Sequence, residues 1–356
     1  MSVRTPRKET PRKKKTHPFL YFGLLALLVA AVPLSYFYFK TTPQKQEFTD
    51  SLQEPIAISD GFCYTLTNKG FAYASRGGVT VCAPKPLKAL TGAFSSPVLT
   101  GSGSHLLLYD IGGTRFALLD DSGNVLSEKE ADGTLIGGAL ASDGRFAVIR
   151  RDAERLTALE LYDPSSELLY RRTSGSAYLY CCALSQDRIA AAFLSADSQE
   201  NTICLISPAD GSVLCEYAVG RQTVLSLAFL ENDRLCAVCT DELLFLDSEG
   251  NCTASLPSPN DCSFGSGFVS ALYDGELILY ADDGSEIART AVAEDAQSID
   301  SRGRFTAVTG RSGLQIFDDR LRTLSTLSRD GLLRALVRDD GSAVCITETS
   351  AEFYDS

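Results

Sequence analysis

The stretch LLDDSGNVL at residues 118–126 decides the fold. Two short apolar runs flank Asp120, Asp121, Ser122 and Gly123. A carboxylate that caps turn amides, followed by a glycine free to take positive φ, is the chemistry of a tight hairpin between two strands. The phrase returns as LYDPSSELL at 161–169, LISPADGSVL at 205–214, FLDSEGNCT at 245–253, LYADDGSEI at 279–287 and IFDDRLRTL at 316–324. A weaker copy, YASRGGVTV, stands at 73–81. The chain stops at Phe353-Tyr-Asp-Ser356, where the turn of another copy would begin.

Ahead of each phrase lies a polar turn that leads into a strand. Examples are SDGFCYTL from 59, SGSHLLLY from 102, SDGRFAVI from 142, ENDRLCAV from 231, GSGFVSAL from 265 and SRGRFTAV from 301. Further apolar runs precede these turns, such as AYLYCCAL at 177–184 and TVLSLAFL at 223–230. The unit is therefore four short strands, repeated about every 40 residues, which is the pattern of a β-propeller. A pair of β-sandwiches also gives short strands between turns, but eight similar units favour the ring. The chain is all-β, with eight blades by this count and seven if the weak first unit merges with the last. The last unit lacks a fourth strand. Residues 45–58 can supply one, and a segment near Phe48 is expected to complete the last blade and hide its edge.

In front of the repeats, residues 18–39 read PFLYFGLLALLVAAVPLSYFYF, 22 residues without a charge. At about 1.5 Å per residue this spans a hydrocarbon core of roughly 30 Å. Basic residues precede it and Tyr36, Phe37, Tyr38 and Phe39 close it, the pattern of a positive-inside tail and an interfacial aromatic belt. A cleaved signal peptide would have a shorter apolar run and a small-residue cleavage site. The expected organisation is a cytoplasmic tail at 1–17, one transmembrane helix at 18–39, a polar stalk at 40–54 and an extracellular propeller at 55–356.

The formal charge of -12 hides an asymmetry. Arg4, Arg7, Lys8, Arg12, Lys13, Lys14 and Lys15 against Glu9 give the tail +6, and Lys40 adds one, so the rest of the chain carries -19. An acidic body repels phosphate backbones, and nucleic acid is not an expected partner.

Catalytic residue types are scarce. The body has no Trp and a single histidine, His105, at the start of a predicted strand. Histidine metal sites and most nucleophile–base pairs are therefore out of reach. Asp120, Asp121, Asp247, Asp282, Asp283, Asp318 and Asp319 could supply a Ca²⁺ site or a glycosidase pair. They recur at the same hairpin in each unit, which marks them as turn formers, whereas a catalytic pair should be unique in the ring. No catalytic residue, cofactor site or metal site is assigned, and no enzymatic activity is expected.

All eleven cysteines lie after the anchor. Cys236 and Cys239, and likewise Cys181 and Cys182, sit in predicted strands with side chains on opposite faces, so neither pair suits a metal. Cys204 and Cys215 flank a hairpin. Pairing Leu205 with Leu214 sets them opposite each other, within reach of a disulfide. The alternative is cysteine used as a small buried hydrophobe. Asn251-Cys-Thr fits an N-glycosylation sequon, idle in a prokaryotic host.

The Leu-Tyr-Asp-x-x-Gly-x-Leu phrase resembles the repeats of quinoprotein-like and WD-like propellers. With the anchor, the short stalk and FSSPVLTGSGSHLLLYD at 94–110, the chain looks like a domain-of-unknown-function family of single-span exported propellers from anaerobic Gram-positive bacteria. The resemblance implies an exported location and brings no functional residues with it. Quinoprotein dehydrogenases place tryptophans between blades and beside the quinone. A chain without Trp is not expected to bind one.

The function expected from these features is a membrane-anchored, extracytoplasmic, non-catalytic scaffold or sensor that binds a protein. The alternatives are a propeller that binds polysaccharide or a small ligand and, less favoured, a quinoprotein-like enzyme.

Overall fold

In the computed structural model the described residues are 56–58, 61–83, 85–196 and 200–355. The basic tail, the 18–39 segment, the stalk and Phe48 lie outside them. Among the described residues no helix is long and apolar enough to cross a membrane.

The chain forms eight antiparallel sheets of four strands, in sequence order except at the closure. The strands of a blade are called A to D. Blade 1 holds β2 (Gly61–Thr67) to β5 (Pro86–Thr91), and blade 2 holds β6 (Pro97–Ser102) to β9 (Val125–Glu130). Blade 3 runs from β10 (Leu135–Leu140) to β13 (Leu168–Ser174), and blade 4 from β14 (Ala177–Leu184) to β17 (Val213–Gly220). Blade 5 runs from β18 (Val224–Phe229) to β21 (Cys252–Pro257), and blade 6 from β22 (Asp261–Phe264) to β25 (Glu286–Ala291). Blade 7 runs from β26 (Ala296–Arg302) to β29 (Thr323–Ser328). Blade 8 has β30 (Leu332–Val337), β31 (Ala343–Thr347) and β32 (Ser350–Tyr354), and β1 (Ile56–Ala57) pairs with β32 as its fourth strand. The closing strand thus comes from the expected 45–58 segment, although Phe48 itself lies outside the described residues. Ile56 lies opposite Ala351, eight residues further along and immediately ahead of blade 1.

The first repeat is also one strand out of phase with its sequence reading. YASRGGVTV spans β3 (Gly70–Ser75) and β4 (Gly78–Cys82), so it is the B–C turn of blade 1 and not a C–D hairpin. The C–D connection of that blade, residues 83–85, contains neither Asp nor Gly, and this hid it. The blade count is unaffected.

The middle strands read as unbroken apolar runs because both faces of each blade pack against neighbours. β12 (Thr157–Tyr162) is buried at all six positions. The outermost strands alternate, as in β29, TLSTLS, where only every second residue is covered. Eight core clusters result, one per interface between blades. Val79 and Val81 of blade 1 meet Leu99 and Leu106 of blade 2. Leu336 and Val344 of blade 8 meet Phe71 and Tyr73 of blade 1, which closes the ring. Phe116, Phe146 and Tyr162 cluster between blades 2 and 3, with Phe146 and Tyr162 stacked at 5.1 Å.

Candidate functional site

In a four-stranded antiparallel blade the A–B and C–D turns lie at one end and the B–C turns at the other. The propeller therefore has an A–B face, and the carboxylates of the repeated phrase all stand on it. Their use is uniform. Asp120 Oδ1 accepts from the amides of Ser122 and Asn124 at 2.9 and 2.8 Å. Asp247 Oδ1 accepts from those of Glu249 and Asn251 at 2.9 and 2.8 Å. Asp318 Oδ1 accepts from those of Arg320 and Arg322 at 3.0 and 2.9 Å. Blade 6 has Ala281 at that position, and Asp283, directly before the turn glycine, binds the amide of Ser285 at 2.9 Å instead. Hydrogen bonds from the Asn251 side chain and amide hold the Asp247 carboxyl below its ordinary range.

The second acids reach sideways instead. Asp121 takes Asn68 Nδ2 of blade 1 at 3.2 Å, Asp282 faces Arg234 of blade 5 at 3.6 Å, and Asp319 faces Arg304 at 3.4 Å. These carboxylates are structural, and the structure does not gather them at one point. Among the described residues no group of three or more His, Cys, Asp or Glu side chains is placed to hold a metal ion.

His105 opens β7 (His105–Asp110) and packs its ring on Gly144 of blade 3, where a Cβ would come within 2.8 Å of Cε1. Cys236 belongs to the interface of blades 5 and 6 and Cys239 to that of blades 4 and 5. Cys181 and Cys182 diverge likewise.

The Cys204–Cys215 disulfide is not formed, and the eleven cysteines are free thiols. A register shift between Leu205 and Ile206 places Cys215 opposite Leu205 and Cys204 opposite Glu216. Cys204 then faces blade 3 and Cys215 faces blade 5. One residue of slip turns a side chain to the other face. Burial pushes the Cys204 thiol up to about 11, far from a reactive thiolate.

Sequence reasoning located the inner strands, such as Ala177–Leu184, but assigned their polar side chains no role. The A strands meet around the axis, and each presents an unpaired edge. In blades 2, 4, 5, 7 and 8 side chains of the preceding blade cap it. Leu99 N donates to Cys63 Sγ at 2.9 Å, and Val224 N to Tyr180 Oη at 2.8 Å. Ile299 N donates to Asp261 Oδ2, Ser301 N to Ser263 Oγ and Val337 N to Asp300 Oδ2, each at 2.8 Å. Charged residues on A strands occur only in blades 6 to 8, as Asp261, Asp300, Arg302 and Arg334. Burial pushes the Asp300 carboxyl up to about 6 against the Val337 amide and Arg334, which lower it. Both inner carboxylates are committed to backbone amides of the next blade, so neither stands free as an acid–base group.

A second departure from the repeat lies at the axis end of the A–B face. The last residue of the A strand is Thr67, Ser102, Leu140 and Leu184 in blades 1 to 4, and Arg302 and Val337 in blades 7 and 8. In blades 5 and 6 it is Phe229 and Phe264. Between them opens a cavity of 280 Å³, lined also by Leu230, Glu231, the Gly265-Ser266-Gly267-Phe268 turn and Asp282. Gly265 is required because a Cβ there would lie 2.2 Å from the Phe268 ring. On the other side Asn232 and Asp233 both take left-handed φ, 58° and 56°. Asp233 is tied to Ser185 at 3.2 Å and Arg188 at 3.7 Å of blade 4. Aligning the strand ends across repeats is the sequence signal that would have exposed this pair.

No family model matches the chain. No curated protein matches it either. Solved structures do. BamB from Moraxella catarrhalis is 15% identical, with a TM-score of 0.57 over 84% of this chain and 96% of that one. The C-terminal WD40 domain of Sif2 is 12% identical, with a TM-score of 0.59 over 85% and 97%. The computationally designed Ika8 protein is 12% identical, with a TM-score of 0.61 over 82% and 95%. The chain has an eight-bladed propeller fold similar to BamB and WD40 domains. At such identities the likeness shows the fold alone.

Proposed function

We propose that this chain is a membrane-anchored, extracytoplasmic propeller that works as a non-catalytic protein-interaction scaffold. The observation that carries the reading is where the repeat breaks. The repeated acids are consumed by their own hairpins, and the inner acids cap neighbouring blades. The residues left without such a duty, Phe229, Phe264 and Glu231, line one cavity on the A–B face. That is a recognition surface without a nucleophile–base pair. The uncharged 18–39 segment with its basic flank supports a cytoplasmic tail and an outside propeller, whose acidic surface would meet partners directly. The family of single-span exported propellers resembled by the sequence has the same arrangement.

The test is crosslinking and affinity capture of the full-length protein from native membranes, with a control that retains only residues 1–45. One protein recovered near stoichiometrically and lost in the control is the expected result. Recovery of no protein sinks the reading and turns attention to glycans and small molecules.

A further inference from the structure

We infer that the cavity between blades 5 and 6 is an anchor site for a peptide that carries a large apolar side chain next to a lysine or arginine. The inference rests on the interaction reading above and names its partner's chemistry. At 280 Å³ the cavity is smaller than pockets that enclose a whole drug-sized ligand, and suits one inserted side chain. Its walls are aromatic, and buried aromatic contacts of this kind dominate the energy of protein interfaces. Its rim is acidic. Asp282 is partly neutralised by Arg234 at 3.6 Å, but the Glu231 carboxylate is exposed and, among the described residues, its side chain makes no hydrogen bond or ion pair, only its backbone carbonyl accepting from Arg234 N at 3.3 Å. A free carboxylate beside an aromatic slot, on a propeller of net charge -17, selects a cation next to the inserted group. The shape is pre-organised. Two adjacent left-handed residues hold Glu231 on one side, and two glycines, Gly265 and Gly267, let the opposing turn pass close. Pre-organisation lowers the cost of binding.

The test uses the full-length protein in a neutral detergent and fluorescence anisotropy with short labelled peptides. The panel holds Phe-Arg and Leu-Lys sequences, their Glu counterparts, basic peptides without an apolar residue, and a peptide of residues 1–17. Phe-Arg or Leu-Lys peptides should bind best, and binding should weaken with salt. Glu231→Lys should cost about tenfold in affinity for them and improve binding of the Glu counterparts. Phe264→Ser should cost about tenfold or more, as for a truncated aromatic anchor. Circular dichroism melts establish that both variants fold, and Glu231→Lys keeps the test alive if Phe264→Ser does not.

Peptide binding unmoved by either variant would overturn the site while leaving a scaffold that binds elsewhere. A captured membrane partner together with no peptide binding would also overturn the site but not the scaffold. Tightest binding by residues 1–17 would make the occupant the chain's own segment and overturn an external partner. No peptide binding and no captured protein would remove both readings.

Discussion

The outer hairpins and the inner strands of blades 6 to 8 use the same residue, aspartate, in opposite ways. In a hairpin the carboxylate binds amides two and four residues along its own turn, as Asp318 does. On an inner strand it binds an amide of the next blade, as Asp300 binds Val337 N at 2.8 Å. The hairpin acid is repeated because every blade has the same turn to hold. The inner acid is not repeated, because in blades 2 and 5 the edge amide is taken instead by Cys63 Sγ and Tyr180 Oη. The protonation balance differs too. Burial raises Asp318, but the Arg322 side chain and amide outweigh it and the carboxyl ends below its usual range. For Asp300 burial wins, and the carboxyl ends at about 6. Repetition therefore marks acids that stabilise as anions, and the break in repetition marks one that is costly as an anion.

The sharpest test of what a non-repeated charge is worth lies in blade 3. Arg150 and Glu160, both 2% exposed, pair at 2.9 Å, and Tyr162 Oη donates to Glu160 at 2.7 Å. Among the described residues no other ion pair is so buried at both partners. Glu160→Ala leaves a buried guanidinium and a buried hydroxyl short of an acceptor. It should destabilise by about 3 kcal/mol, read as a fall in urea midpoint at an unchanged slope. A cost under about 1 kcal/mol would mean that Asp152, 3.0 Å from Arg150, carries the charge alone.

The pH dependence of the two kinds of acid should run in opposite directions. A carboxyl raised in the folded state binds its proton more tightly there, so the folded state loses stability as pH rises from about 4 to 6. Asp300→Asn keeps an oxygen for Val337 N and removes the anion. Its advantage over the parent should be about 2 kcal/mol larger at pH 7.5 than at pH 4, seen in melts at both pH values. For Asp318 the sign reverses. Its stabilisation is present above the unfolded value near 3.8 and is lost as pH falls through the lower folded value. Asp318→Ala should cost about 2 kcal/mol at pH 7 and progressively less below pH 4. Two variants with parallel pH profiles would erase the distinction between the regions.

Much of this was legible beforehand, for a physical reason. A tight C–D hairpin needs an acceptor and a positive φ, so LLDDSGNVL and its copies fix six blades directly. Where the demand is met by other residues the reading slipped. Blade 1 has Gly77 and Gly78 on the B–C turn, Gly78 at φ +121°, and none on the C–D turn, so its frame reads one strand out of phase. The Cys204–Cys215 reading failed because a bulge is invisible in the pattern of apolar residues. Yet the same shift recurs between C and D strands, at Leu118/Leu119, Phe245/Leu246, Leu279/Tyr280 and Ile316/Phe317. The cavity of blades 5 and 6 was hidden for another reason. Phe229 and Phe264 are 35 positions apart and look like strand residues until the ring brings their strand ends together.

The smallest expected effect asks whether a hairpin improves when made more like its copies. At the position where Gly123, Gly250 and Gly284 take φ of 84–87°, blade 3 has Ser166 at φ 65°. Ser166 is fully buried, and its hydroxyl lacks a hydrogen-bond partner among the described residues. Left-handed φ is costly for a residue with a Cβ, and an orphaned buried hydroxyl adds to that. Ser166→Gly removes both and adds only the chain entropy of a glycine. A net gain of about 1 kcal/mol is expected, a rise of about 2 °C in thermal midpoint. The equivalent change at Leu321, φ 56°, should not help, because that side chain is 7% exposed and packs between blades 6 and 7. Glycine there relieves the backbone and forfeits the burial of a leucine, worth about 2 kcal/mol. Opposite signs at two equivalent positions would show that the hairpin tolerates a departure from its repeat only where the side chain contributes to an interface.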